Sequence, residues 1–452
     1  MSLVTPDHDS PLSAAPTESA DPSRPRVRQL GDDDLGAFSG PTLVSQQAPV
    51  MTVSDDDLVR HPVGMDWWLL STVAALAVMG VVMAFSASYY LAVHRFNDEH
   101  LFLVRHLRFL GIATFTLLLF ANVPYQVWKK LAYPAMFCAL LALMAVPFFG
   151  ITRNRATRWL ALGPVMFQPA ELAKVVFVAY LARSLSKKAQ RNSIQTFHVG
   201  LAPHFLVWAV LGLLCMKQPD LGTTLVLAVL LFAMTFMAGA RVAPLLLIGL
   251  TGMGVLGAFL VHNPMRSRRI TAFIDNFAHR ADVGYQLWNS KLAVAMGGFF
   301  GRGLGASHQK LGFVPEAHTD FVLAIIGEEL GLVGIMFIAV CFIFLVWRGL
   351  RIAMSARDEF GRLFALGLTV LFGVQAAVNF GVVLGLLPTK GLTLPFVSYG
   401  GTSLIVMAMA AGILLNIGRG GNPDVVLPAL PSLRQRPSGN TRVRTPAHEG
   451  AR

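Results

Sequence analysis

Residues 67–92 read WWLLSTVAALAVMGVVMAFSASYYLA, twenty-six consecutive positions without a charged side chain. About 20 apolar residues cross a bilayer core as a helix, which satisfies every backbone N–H and C=O within its own segment. The stretch therefore predicts a membrane-spanning helix, and the pattern recurs. Further apolar segments cover 107–121, 131–149, 169–185, 201–216, 223–238, 242–261, 321–347, 363–387 and 403–417. Several are short, and their polar flanks must complete the crossing. The expected fold is an all-α polytopic membrane protein of about ten transmembrane helices. The long connection, 262–319, lies outside between helices 7 and 8. Its apolar stretch 287–300 is too short to cross and fits an interfacial or re-entrant helix.

The composition agrees. Of 452 residues 54% are apolar and 14% charged, too apolar for a soluble chain of this length. Residues 1–65 carry ten acidic and four basic side chains among Pro, Ser and Ala, and residues 418–452 carry two acidic and six basic ones. Both read as disordered tails, 1–65 and 419–452, flanking a membrane domain at 66–418. The N-terminus has neither a basic region nor an apolar core, so no cleavable signal peptide is expected. The net charge of +12 is accounted for by membrane loops and lipid headgroups, and no nucleic-acid partner is implied. Cys138, Cys215 and Cys341 lie in or beside apolar runs without CxxC spacing, which suggests neither disulfides nor a structural zinc site.

An even number of spans puts both tails on one side. With cytoplasmic termini, eleven Lys and Arg fall in the short inner loops against eight in the outer ones, and the positive-inside rule favours that orientation. Three of the opposing charges, Arg153, Arg155 and Arg158, share the segment ITRNRATRWLALG, a cluster suited to an anion outside.

Chemistry-bearing residues recur at the outer ends of the spans. In QPAELAK (168–174) a proline opens a helix and places Glu171 and Lys174 on one face. Charges at that depth face a bundle interior or a wet cavity, and the pair either only joins helices or also serves a substrate. In QPDLGT (218–223) Asp220 is placed to cap the helix that follows. In PEAHTDF (315–321) Asp320 stands between a wet loop and an apolar helix, as a helix cap or as a partly desolvated general base. His318 beside it is an orienting or core histidine. Glu328 and Glu329, deeper in that span, are structural, paired or proton-linked. LPTKGLTLPFVSYGG (387–401) is a shaped loop offering Lys390, Ser398 and Tyr399 at the outer surface. The GxGxxG of Gly252, Gly254 and Gly257 lies inside an apolar span and reads as close helix packing. With no nucleotide motif, an enzyme of this kind needs a pre-activated, membrane-borne substrate.

In this order QPAELAK, QPDLGT, GRGLGASHQKLGFVPEAHTDF (301–321), GEELG (327–331) and LPTKGLTLPFVSYGG resemble the SEDS proteins (shape, elongation, division and sporulation) over nearly all of 66–418. Ala317, where the rod-elongation branch typically has a basic residue, and Lys390 point to the cell-division branch. The resemblance implies a peptidoglycan glycosyltransferase that polymerises lipid II at the outer face of the cytoplasmic membrane, at the septum, with undecaprenyl diphosphate leaving. It implies Asp320 as the catalytic aspartate, and Arg158, Glu171, Lys174, Asp220, His318, Thr319, Lys390, Ser398 and Tyr399 as the substrate-binding set. It brings no certain cofactor; a divalent cation, magnesium or manganese, stays open beside Glu171. The implied partners are a class B penicillin-binding protein and other divisome proteins. A lipid II flippase, an elongation or sporulation paralogue and a non-catalytic scaffold are the competing readings.

Overall fold

The computed structural model describes residues 64–420, apart from 154–155, 164, 192, 263 and 276. Both tails, bar their innermost residues, therefore lie outside the described residues. The chain runs α1 (Trp67–Ser86), α2 (Tyr89–Phe96), α3 (Leu101–Asn122) and α4 (Gln126–Phe149). A small sheet follows, β1 (Gly150–Arg153), β2 (Ala156–Leu162) and β3 (Val165–Phe167). Then come α5 (Pro169–Gln190), α6 (Ala202–Lys217), α7 (Leu221–Met237), α8 (Val242–His262), α9 (Pro264–Ile274), α10 (Tyr285–Gly297), α11 (Val322–Glu329), α12 (Gly331–Met354), α13 (Glu359–Val383) and α14 (Gly401–Gly418). Among the described residues, seven segments are long and apolar enough to cross a membrane: α1, α3, α4, Phe197–Lys217 (α6 with the π-helical turn before it), α12, α13 and α14. α5, α7 and α8 take the three remaining expected places. The fold is an all-α polytopic membrane protein.

Aspartates start three of these helices. Asp66 accepts from Leu69 N, Asp220 from Thr223 N and Asp358 from Gly361 N, each at 3.1 Å, satisfying N–H groups that a helix start leaves open. α5 starts at Pro169, carries Glu171 in its first turn and Lys187 and Lys188 in its last, as the helix dipole favours. It is buried on nearly every side, against α4, α7 and α13. Phe115 on α3, Phe137 on α4 and Ile343 on α12 are instead exposed, as a face turned to lipid requires.

Polar contacts sort the helix ends into two groups. Asp66 meets Arg348 of α12 at 2.7 Å. Asp358 takes the Tyr125 hydroxyl at 2.7 Å and Lys129 at 3.3 Å. Asn416 accepts from Tyr125 N at 2.8 Å and donates to Ala121 O at 3.0 Å. The start of α1 and the end of α14 thus lie at the same end of the bundle. The sheet, the start of α5, the α6–α7 junction and residues 315–321 and 388–401 gather at the other.

Three segments differ from the sequence reading. The run 67–92 breaks after Ser86, whose hydroxyl donates to Glu329 at 2.6 Å, and α2 continues it as a separate short helix. ITRNRATRWLALG is an antiparallel hairpin rather than a loose loop, with Gly150 opposite Leu160 and Leu160 opposite Phe167. The expected span 321–347 is two helices. Gly331 has φ +68° and interrupts the backbone, and 297–303 completes the broken ends. Leu332 N and Val333 N donate to Gly298 O and Phe299 O (2.9 and 3.2 Å), while Arg302 N and Gly303 N donate to Glu328 O and Glu329 O (3.0 Å each). Glu329 meets Ser86 at the far end of α1 from Asp66, so Glu328 and Glu329 lie at the sheet end of the bundle rather than deep in a span. The crossing itself is α12. Within 262–319, α10 is the expected non-crossing helix, packed on α11, α12 and α13.

Candidate active site

The site forms where four chain segments meet. Arg158 projects from β2 and donates to two carbonyls of the α6–α7 junction, Gln218 O (Nε, 3.1 Å) and Pro219 O (Nη2). Its guanidinium fork thereby fixes the hairpin to the segment that ends in Asp220. Asp320 ends the turn before α11 and is half-buried. It does not cap that helix: the N-cap is Phe321, without a side-chain cap bond. Asn379 of α13 donates to both Asp320 O and Leu392 O at 2.8 Å, joining Asp320 to the loop between α13 and α14. Gly391 of that loop lies directly over the carboxylate, where a Cβ would come 3.0 Å from Asp320 Oδ2 and 3.7 Å from Arg158 Nη1.

Burial pushes the Asp320 carboxyl up to about 7, with Glu316 adding to the rise and Arg158 opposing it; Asp220 and Glu171 add weaker repulsion. An ordinary aspartate sits near 3.9. A carboxyl raised this far can take a proton from a hydroxyl near neutral pH.

The other expected residues divide by role. Glu171 and Lys174 are buried and paired, Nζ to Oε1 at 2.8 Å. The second Glu171 oxygen, Oε2, is buried without a hydrogen-bond partner. Asp220 caps α7 and also accepts from the Thr223 hydroxyl at 2.8 Å. Thr319 donates to Glu316 O and Oε2 (3.2 and 3.0 Å), closing the turn before Asp320. Ser398 Oγ accepts from Leu394 N at 2.9 Å, within its own loop. His318 and Tyr399 are joined through Tyr399 N to His318 O at 3.0 Å. Their rings pack 5.7 Å apart and each lies 5.4 Å from Phe102. That aromatic cluster, which also takes in His106, stitches 315–321 to 388–401. Lys390 is half-buried beside Gly391.

Four residues here carried no sequence signal strong enough to single them out. Glu316 raises Asp320 and sits at φ +57°, a conformation costly for a side-chain-bearing residue. Asn379 offered one cue, an amide in an otherwise apolar span. Gln218 is buried with Nε2 on Leu143 O at 3.0 Å. Gly391 matters through the side chain it lacks.

A protein-held metal is not what these side chains build. Among the described residues no three His, Cys, Asp or Glu side chains are grouped to hold one. Glu171 Oε2 is a single open donor, and Lys174 on the other oxygen opposes a cation. A divalent ion there needs most of its oxygen ligands from a substrate.

The FtsW, RodA and SpoVE family, described as cell cycle protein, matches residues 67–422. The chain is 42% identical over 369 residues to a probable peptidoglycan glycosyltransferase FtsW of Trichlorobacter lovleyi, covering 80% of this chain and 96% of that one. It is 40% identical over 357 residues to stage V sporulation protein E of Bacillus subtilis, covering 78% and 97%. Among solved structures, a chain of a peptidoglycan synthase complex described as coordinating polymerization and crosslinking aligns with TM-score 0.66 at 30% identity, over 80% of this chain and 99% of that one. The rod shape determining protein RodA of Thermus thermophilus aligns with TM-score 0.60 at 28% identity, over 80% and 99%. This membrane-embedded chain belongs to the bacterial FtsW, RodA and SpoVE family, the SEDS proteins whose five motifs it carries in order.

Proposed function

We infer that this chain is a peptidoglycan glycosyltransferase that polymerises lipid II during cell division. The observation that carries the mechanism is Asp320: a half-buried carboxyl raised to about 7, not engaged as a helix cap, open beside a fixed arginine. Asp320 takes the proton of the acceptor sugar's 4-hydroxyl as the oxygen attacks the donor anomeric carbon. The bond to the diphosphate breaks, the configuration inverts, and undecaprenyl diphosphate leaves with the electron pair. Arg158, Lys174 and Lys390 supply the cations that stabilise the diphosphate as its charge develops. Glu171 orients Lys174, and Asp220 and Thr319 shape the walls of the site. His318 and Tyr399 hold its two loops together, and Ser398 serves the loop's own fold. Were magnesium or manganese bound, Glu171 Oε2 would be the protein's open ligand for it and the ion would supply positive charge to the diphosphate.

The site end of the bundle faces outward and both tails face the cytoplasm, where the inner-loop cations of the sequence then lie. The crosslinking partner is a class B penicillin-binding protein at the septum, with other divisome proteins around the pair. Its single span packs in an apolar groove of about 440 Å³ between α12 and α13, lined by Ala339, Phe342, Val346, Gly373, Ala376 and Ala377. Small residues let a helix approach closely there.

The test is glycan-strand formation from purified lipid II by the reconstituted complex, with the transpeptidase active site blocked. Wild type forms polymer, and folded Asp320→Asn and Asp320→Ala do not. Equal polymer from all three would remove Asp320 as the base. None from a folded wild-type complex would favour transport or scaffolding instead.

A further inference from the structure

The GEELG glutamates lie outside the site and carry no part in the chemistry above, yet they hold a buried polar network. Glu329 is fully buried and accepts from Lys310 Nζ at 2.9 Å and from the Ser86 hydroxyl on both oxygens, at 2.6 and 2.7 Å. Lys310 Nζ is itself buried and also reaches Gly305 O at 2.8 Å and Ser86 Oγ at 3.2 Å. Glu328 takes the Ser307 hydroxyl at 2.5 Å, His308 N at 2.9 Å and Gln309 N at 3.2 Å. Three elements distant in sequence, the end of α1, loop 301–310 and the end of α11, are tied at this one place.

α11 is a separate eight-residue helix, and its two ends are held differently. The C-terminal end is fixed by both glutamate carboxylates and by Glu328 O and Glu329 O on the loop backbone. The N-terminal end has no side-chain cap and leads directly into Asp320, held there by the one amide of Asn379 on Asp320 O at 2.8 Å. Eight residues make a rod about 12 Å long. A tilt of about 5° about the anchored end would move Asp320 by about 1 Å, and misplacement on that scale can cost about 100-fold in rate. A buried ion pair is weak evidence of stabilisation, because desolvation offsets most of its attraction. It does hold one geometry, since any other leaves a charge buried and alone.

We propose that the buried Lys310–Glu329 pair, with Ser86, is a positioning device that sets the tilt of α11 and so the placement of Asp320, without touching substrate. This rests on the reading of Asp320 as general base. The partner charges are sited so that α1 and the loop after α10 both report to the reactive carboxylate. A change in either, including one imposed by a bound protein, alters the rate at constant substrate affinity.

The experiment uses the full-length chain with its transpeptidase in nanodiscs. It measures kcat and KM for lipid II, and amide hydrogen exchange over 302–309 and 322–330. Lys310→Met lowers kcat at least tenfold, leaves KM within twofold and speeds exchange in both segments. Lys310→Arg, which keeps the charge, recovers at least half of the wild-type kcat, and Ser86→Ala gives a smaller loss of the same kind. Wild-type kcat and exchange in Lys310→Met would overturn the proposal, as would a loss confined to KM, which would mean contact with substrate. Should Lys310→Met not fold, unchanged kcat and exchange in Ser86→Ala would overturn it equally. Asp320→Asn separates the two readings. If it keeps activity, the general-base assignment falls, while exchange in the Lys310 variants still decides whether the network holds α11.

Discussion

Asp320 shows how one residue's chemistry depends on what surrounds it. Its sequence neighbours left helix cap and general base equally open, and the structure removes the cap. With the carboxyl raised to about 7, kcat/KM should climb through about pH 7 and level off above it, because the base must be ionised; a profile flat from pH 5.5 to 8.5 would contradict this. Stability runs the other way. Between pH 4 and 7 the folded protein keeps a proton that the unfolded chain has lost, so wild-type stability falls with rising pH in that window and is level above it. Asp320→Asn removes that dependence. It should lower polymer formation by roughly 100- to 10,000-fold while raising Tm at pH 8 by more than at pH 4, as read by thermal unfolding in detergent. Gly391→Ala places a methyl 3.0 Å from Asp320 Oδ2. It should cut activity while leaving Tm within a few degrees, since Gly391 is not among the positive-φ residues. Neither effect is legible in the sequence, where Asp320 and Gly391 are seventy-one positions apart.

At the scale of elements, hydropathy located nearly every helix and misjudged two boundaries for one reason. Apolar runs report what lipid and core accept, whereas helix breaks are made by contacts from elsewhere. The run ending in α1 stops where Ser86 meets Glu329, and the run from 321 breaks where 297–303 completes the ends of α11 and α12. At Gly331 a Cβ would lie 2.3 Å from Gly301 N, and φ is +68°. Gly331→Ala should therefore destabilise by at least about 2 kcal/mol, seen as a lower Tm and reduced folded yield; a wild-type Tm would show that the break can relax. The hairpin 150–167 was hidden because its strands are short and interrupt a helical chain. Arg158, which the resemblance set among the substrate-binding residues, is fixed because β2 aims it at Gln218 O and Pro219 O. Arg158→Lys loses the fork that grips both carbonyls and should lower kcat/KM at least tenfold, with the hairpin still formed by infrared spectroscopy; unchanged kinetics would reduce the arginine to a spectator.

For the whole molecule, the contacts of Asp66 with Arg348 and of Asn416 with Ala121 and Tyr125 put the start of α1 and the end of α14 at one end of the bundle. Reporters fused before Met1 and after Arg452 should both read cytoplasmic; an outside reading for either would overturn the orientation. Ala377→Trp in the α12–α13 groove should weaken capture of the class B transpeptidase without lowering Tm, and undiminished capture would move that interface elsewhere. The sequence by itself determined that the chain lives in a membrane, roughly where each helix crosses, and which motifs carry charge, because the cost of putting polar groups in hydrocarbon is local and readable one segment at a time. Only the tertiary structure decided which charges meet. It paired Lys310 with Glu329, laid Gly391 over Asp320, and turned Glu328 and Glu329 from deep residues into the anchor of α11. Those outcomes depend on distances between segments far apart in the chain, and a single sequence holds no record of them.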